Sequence, residues 1–258
     1  KPVSLYISLD GPRYKNDKDI LEIKKIKKII DKIGWKCSIK KKYNSQNLGC
    51  KLAVSSAINW FFENNEHGII LEDDCIPNLS FFKFCEYGLQ KYKNNKKIMQ
   101  ISGNNFLFNN KIVNESYYYS TFNDIWGWAT WKRAWEKFDI NMREYDFDKD
   151  YKMLINYYKN KKIVKWMKIY LDAVKIKEHN IWSTQWTYAI IKVGGLTVVP
   201  KVNLVKNIGF NKYGSTSDYY SFRFYDKVDI CELSIDKIPN KIEPNYEFDK
   251  IRYKIIKK

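Results

Sequence analysis

Short β-prone apolar runs alternate with helical spacings through roughly the first hundred residues, and that alternation confines the chain to a layered α/β arrangement. Val3 to Leu9 reads as a strand closed by the turn residues Asp10-Gly11-Pro12. From Asp19 to Ile33, Ile20, Leu21, Ile23, Ile26, Ile29, Ile30 and Ile33 recur at helical spacing with lysines opposite, and Gly34 ends the run. Trp35 to Ile39 reads as the next strand and Cys50 to Asn64 as a second helix. Gly68 to Leu71 is a buried strand that runs straight into Glu72-Asp73-Asp74. Leu79 to Tyr92 follows as a helix with Pro77 just ahead of it, then Ile98 to Ile101 as a strand closed by Ser102-Gly103-Asn104-Asn105. Such a string predicts a mostly parallel sheet with helices on both faces, with ligands bound beyond the carboxyl ends of the strands. Asp10, the acidic triplet and Ser102 to Asn105 all fall at such ends.

The second half is less regular and richer in aromatic residues. Tyr117 to Thr121 reads as a strand, Ala129 to Phe138 as a short helix, and Tyr151 to Glu178 as one or two Lys-rich helices. Gln185 to Val193 reads as a helix and Leu196 to Val199 as a strand, with polar loops and an undefined tail after Asn211. A length of 258 residues suits a single domain, with 1–105 and 106–210 as its halves and 211–258 as a tail. The opening Lys1, without an initiator Met, reads as part of something longer.

Composition narrows the partners. No apolar run approaches the roughly 20 residues needed to span a bilayer, so any membrane contact is expected to be peripheral. Five cysteines with no C-x-x-C pair suit neither a zinc site nor a disulfide framework, and read as small buried side chains in a reducing, cytoplasmic setting. The net charge of +17 favours anionic partners. Its lysines are spread over several segments with no nucleic-acid signature, so no specific nucleic-acid partner is expected. A solvated lysine surface comes first, and attraction to anionic lipid at the inner face of a membrane second.

Three successive carboxylates after a buried strand are costly unless something compensates them. In an extended segment Glu72 and Asp74 share one side and Asp73 faces the other. A hard divalent cation, Mn²⁺ or Mg²⁺, takes such oxygen ligands and is often shared with substrate phosphates; a solvated acidic turn ahead of the next helix is the alternative. Trp126-Gly127-Trp128-Ala129-Thr130-Trp131 with Trp135 puts four tryptophans in ten residues. Trp131 and Trp135 read as core anchors four apart on a helix, and Trp126 and Trp128, flanking a Gly in a loop, as the better candidates for a pocket wall.

The run from Ile69 to Pro77 with Phe81-Phe82 resembles the Glu-Asp-Asp region of GT-A-fold glycosyltransferases, most closely the bacterial branch related to N-acetylglucosaminyltransferase I. Further matches keep the chain order: Asp10-Gly11-Pro12-Arg13, Asn47-Leu48-Gly49-Cys50, the Trp126 to Trp135 segment, Trp182-x-x-Gln185-Trp186 and Asn203-Leu204-Val205-x-Asn207-Ile208-Gly209. The resemblance implies a GT-A, Rossmann-like domain with a nucleotide-binding first half and an acceptor-side second half. It implies that a sugar moves, with inversion, from a nucleotide-diphosphate donor such as a UDP-sugar to a glycan or lipid-linked glycan acceptor during polysaccharide or glycoconjugate synthesis. On that basis Asp74 is the metal ligand, Asp73 a ribose contact, Glu72 a donor-sugar contact and Asp10 a base or ribose contact. Lys51 is a diphosphate candidate, with an ordinary surface lysine as the safer account, and Asn104, Trp126, Trp128 and Gln185 are sugar-side candidates; turn capping is an equal account of Asn104 and Asn105.

Three departures accompany the resemblance. The stretch Ser183-Thr184-Gln185 has no carboxylate where relatives place the base for the acceptor hydroxyl, and Asp124 is the substitute candidate. Gly214-Ser215-Thr216-Ser217 stands where relatives often carry a Thr-His pair, and the strand–helix unit that opens such domains is missing. The alternative is a non-catalytic glycan-binding or assembly module with a degenerate donor site.

Overall fold

The computed structural model describes residues 4–107, 114–176, 180–209 and 228–257. Val3, His179 and the Gly214 to Ser217 stretch lie outside these residues. The chain is a mixed α/β protein that divides into two compact units, Lys1–Asn65 with Ile176–Trp182, and Glu66–Lys175 with Ser183–Lys258.

In the first unit β1 (Ser4–Leu9) and β2 (Ser38–Tyr43) pair in parallel, Ser4 opposite Ser38 through Leu9 opposite Tyr43. Between them runs α1 (Asp17–Asp31), capped by the Asn16 side chain, which accepts from the Asp19 N–H at 3.2 Å. The second strand begins later than Trp35 because this rung-by-rung pairing with β1, rather than local apolarity, sets its register. Tyr6 on β1 meets Trp60 and Phe61 of α2 (Gly49–Glu63) edge-on at 4.9 and 5.0 Å, fixing the helix to the strand.

The second unit contains β3 (His67–Ile70), β4 (Cys75–Pro77), α3 (Leu79–Lys91), β5 (Ile98–Ser102), β6 (Tyr117–Ser120) and β7 (Trp128–Trp131). It continues with α4 (Lys132–Trp135), α5 (Phe147–Tyr158), α6 (Lys161–Ile176), α7 (Ser183–Lys192), β8 (Leu196–Pro200), β9 (Val205–Asn207) and α8 (Tyr246–Ile256). Five strands form one sheet in the order β3-β7-β5-β8-β6, in which β5–β8 is the parallel pair and the other three pairs are antiparallel. The expectation of a mostly parallel sheet therefore fails at the level of neighbours. Strands β3, β5 and β8 do point one way, as the alternation with helices requires, but β7 inserts between β3 and β5 in the opposite direction.

The expected helix from Ala129 is also corrected: Trp128–Trp131 is strand, and only Lys132–Trp135 is helical. Trp131 and Trp135 are thus not one turn apart on a helix, although both are buried as expected of anchors. Ile101 faces α3, where a Cβ on Gly88 would meet its Cδ1 at 2.0 Å. Gln100, its neighbour, points to the other face and accepts from the Trp186 indole of α7 at 2.7 Å. Helices thus cover both faces, with Phe81, Phe84, Ile98, Ile101 and Val198 in the α3-side core.

The tail holds a helix the sequence reading missed. Asn245 caps α8 by accepting from the Phe248 N–H at 3.2 Å, and Asp249 then anchors it. The buried Asp249 carboxylate accepts from the Ser120 hydroxyl at 2.5 Å, the Thr121 N–H at 3.0 Å and the Thr121 hydroxyl at 2.6 Å. All five cysteines are free thiols. No helix among the described residues is long and apolar enough to cross a membrane.

Candidate functional site

The sheet register gathers one edge. Ile70 at the end of β3 lies opposite Trp128, and Trp128 lies opposite Ser102 at the end of β5. The residues that follow β3 and β5 and those that precede β7 therefore emerge together: Leu71 to Asp74, Gly103 to Asn105, and Trp126-Gly127. Gly127 has φ +78, a conformation costly for any other residue, and a Cβ there would meet Val205 Cγ2 at 2.8 Å. The Gly103 N–H donates to the Gly127 carbonyl at 2.8 Å and completes the edge.

The acidic triplet is not extended. The Cys75 N–H donates to the Glu72 carbonyl at 3.1 Å, which folds Glu72 to Cys75 into a turn between β3 and β4. The expected alternation of Glu72 and Asp74 on one side is overturned, because a turn rotates successive carboxylates around its loop rather than across a pleat. Asp73 is exposed and Asp74 half-buried, while Glu72 Oε1 is fully enclosed without a hydrogen-bond partner. Burial first, then the charges of Asp74 and Asp73, push the Glu72 carboxyl up to about 7.

Strand β9 seals the turn from the other side. Cys75 pairs with Asn207, the Ile208 N–H donates to the Asp74 carbonyl at 2.8 Å, and the Gly209 N–H donates to Asn207 Oδ1 at 2.7 Å. The chain at Gly209 comes so close that a Cβ would stand 2.3 Å from Asp74 Oδ2. Among the described residues no ion pair involves Glu72, Asp73 or Asp74. No group of three or more metal-ligating side chains converges among them either. An orphaned enclosed carboxylate oxygen beside Asp74 fits a hard cation that draws its remaining ligands from elsewhere, such as a diphosphate, rather than one caged by protein alone.

The other sequence candidates are placed as follows. Asp10 is consumed by its own unit: its carboxylate accepts from the N–H groups of Gly11, Leu48 and Gly49 and from the amides of Asn44 and Asn47, all within 2.9–3.1 Å. Five donors fill a carboxylate's capacity, so Asp10 organises the start of α2 instead of presenting a free acceptor. The Asp-Gly and Asn-Leu-Gly motifs of the sequence are two sides of this one junction. Lys51 sits in the first turn of α2, its N–H donating to Asn180 Oδ1 at 2.9 Å.

Asn104 and Asn105 are buried and tie the strand end down, which favours the turn account. Asn105 donates to the Pro200 carbonyl at 2.8 Å and accepts from the Leu107 N–H at 2.9 Å, while Asn104 reaches Asn203 and Val205 at 3.4 Å. Trp128 is fully buried against Trp186 and Trp135 and does not line a pocket, because as the first residue of β7 it points into the core. Gln185 is likewise buried, its amide directed to the Ile140 carbonyl at 3.5 Å.

Trp126 and Asp124 do meet, at a pocket of about 260 Å³ formed by the segment between β6 and β7, α7 and α8. Trp126 stands edge-on to Phe106, ring centres 5.2 Å apart. Asp124 Oδ1 is held by the guanidinium of Arg252 from α8, both side chains about 10% exposed. Burial raises the Asp124 carboxyl above its ordinary range, and Arg252 opposes that rise. Sequence reasoning missed Arg252, whose only signal was the Asn245-capped amphipathic run at the tail. No family model and no curated protein matches this chain.

Proposed function

We propose that the chain is a metal-dependent glycosyltransferase of GT-A type that moves a sugar from a nucleotide-diphosphate donor, a UDP-sugar, to a glycan acceptor in surface polysaccharide or glycoconjugate synthesis. The observation that carries this reading is the uncompensated acidic turn at the shared edge of β3, β5 and β7, with an enclosed, unpartnered Glu72 oxygen. A protein with net charge +17 that leaves three adjacent carboxylates without a cationic partner among its described residues has kept them for a cation from outside.

Mn²⁺ or Mg²⁺ bound there supplies positive charge that offsets the departing diphosphate. In this reading Asp74 and the enclosed Glu72 Oε1 would hold the cation, the other Glu72 oxygen faces the donor sugar, and exposed Asp73 takes the ribose hydroxyls. Asp124, in the neighbouring pocket, accepts the proton of the acceptor hydroxyl, and Trp126 gives the sugar an apolar face. The positive net charge supports peripheral attraction to an anionic membrane at its cytoplasmic face, where a lipid-linked acceptor resides. Isothermal titration of UDP with Mn²⁺ tests the donor site: wild type binds and Asp74→Ala does not. No binding by wild type, or unchanged binding in the variant, would sink the assignment.

Two observations favour a second reading. Asp124 is already engaged by Arg252, and Gln185 is buried in the core, so a non-catalytic glycan-binding module uses the same pocket without a free base. Glycan binding without UDP-sugar hydrolysis or transfer would favour this second reading.

A further inference from the structure

We propose that the pocket between α7, α8 and the β6–β7 segment binds a single uncharged pyranose ring, and that the Asp124–Arg252 pair sets its preference for neutral over acidic sugars. As an acceptor subsite it rests on the glycosyltransferase reading; as a binding site it stands alone.

Size comes first. At about 260 Å³ the pocket has room for one hydroxylated six-membered ring. Its walls are unlike a solvated crevice. The half-buried Trp126 is held by Phe106, and the guanidinium carbon of Arg252 stacks over Phe106 at 4.7 Å, so the apolar side is fixed before any ligand arrives.

The polar side has a gap that only certain groups fill. Thr187 has one hydroxyl hydrogen and lies 2.9 Å from Asn123 Oδ1 and 3.0 Å from the Ser183 carbonyl. The other end of the Asn123 amide, Nδ2, is enclosed without a partner. Rotating the amide by half a turn exchanges the unpaired donor for an unpaired acceptor and does not remove the vacancy. A sugar hydroxyl donates and accepts, and so satisfies the site in either setting.

Charge decides the ligand class. Among the described residues Asp124 and Arg252 are the ionisable side chains of the pocket wall, and they neutralise each other. The field of a +17 protein is therefore not expressed there as a net positive wall. A uronic or sialic acid would bring a carboxylate to a cation that already has one, and to a second carboxylate that repels it.

An immobilised glycan array probed at salt on the order of 0.3 M, which screens the surface lysines, tests the proposal. Wild type retains glycans sharing a neutral terminal pyranose. Ser183→Phe, which sets a bulky ring on the pocket lining, lowers that signal at least about tenfold. Asp124→Asn leaves Arg252 without its carboxylate and shifts the preference towards acidic termini. Trp126→Ala, which removes the apolar wall without filling the pocket, gives a second route to loss should Ser183→Phe fail to fold by circular dichroism. No retained glycan, equal signals in Ser183→Phe, or a wild-type preference for acidic termini overturns the proposal. UDP–Mn²⁺ titration of the same preparations separates the two readings. Glycan loss with intact UDP–Mn²⁺ binding concerns the pocket, and absent UDP–Mn²⁺ binding with intact glycan binding defeats the donor site alone.

Discussion

Replacing Glu72 by Gln keeps its shape and removes the charge that the turn holds without compensation. Moving a carboxyl from 4.5 to about 7 costs its ionised form about 3 kcal/mol, at about 1.36 kcal/mol for each tenfold change in proton affinity. Glu72 Oε1 is enclosed but the residue as a whole is only half-buried, so about 2 kcal/mol is the expected net gain on neutralising it. Below 4.5 the carboxyl is protonated in both folded and unfolded chains, and the substitution is silent. As pH rises to about 7, the folded protein still holds a proton that the unfolded chain has released, and wild-type stability falls. Above 7 the full cost remains. In metal-free buffer with a chelator, Glu72→Gln therefore melts about 4–8 °C above wild type at pH 8 and within about 1 °C of it at pH 4.5. Differential scanning calorimetry over this range reads the difference. An equal offset at both ends, or a less stable variant at pH 8, refutes the claim that Glu72 is a buried, uncompensated charge.

Three further outcomes are expected. Asp249→Ala orphans the buried Thr121 N–H and two hydroxyls and costs about 3 kcal/mol, with amide hydrogen exchange accelerating first across α8. Gly209→Ala places a methyl group where Asp74 Oδ2 now lies at 2.3 Å; it weakens UDP–Mn²⁺ binding at least about tenfold by calorimetric titration while the fold persists in circular dichroism. Trp128→Ala opens a cavity in the Trp128–Trp135–Trp186 cluster and costs about 3–5 kcal/mol by denaturant unfolding. Half-buried Trp126→Ala costs about 1 kcal/mol or less, and comparable losses at the two positions would contradict their assigned places.

Local signals in this chain were strong wherever a helix or strand is decided within a few residues. The second helix, α3, β5 and β8 match their expected runs to within a residue or so, because capping, apolar spacing and Gly or Asn stops act locally. The α8 helix was equally legible in its Asn245 cap and apolar spacing, yet its polar surroundings masked it. At Trp128 to Trp131 local reading failed for a physical reason. Aromatic residues serve strand and helix alike, and hydrogen bonding to β3 on one side and β5 on the other made the choice.

The sequence by itself determined that three carboxylates would follow a buried strand, that aromatic residues would crowd the second half, and that helices would alternate with strands through the first. Those are properties of composition and near neighbours. Only the tertiary structure decided which strands adjoin, since pairing joins residues far apart in the chain and carries no local mark. It decided that the triplet is a turn sealed by β9, because Cys75 had to pair with Asn207, more than a hundred residues away. It also decided what each polar candidate is free to do. Asp10 is saturated by donors brought from residues 44–49, and Asp124 meets Arg252 across 128 residues of sequence. Glu72 alone of these acids is left enclosed with an oxygen unanswered, because the turn that buries it brings two more carboxylates and, among the described residues, no cation.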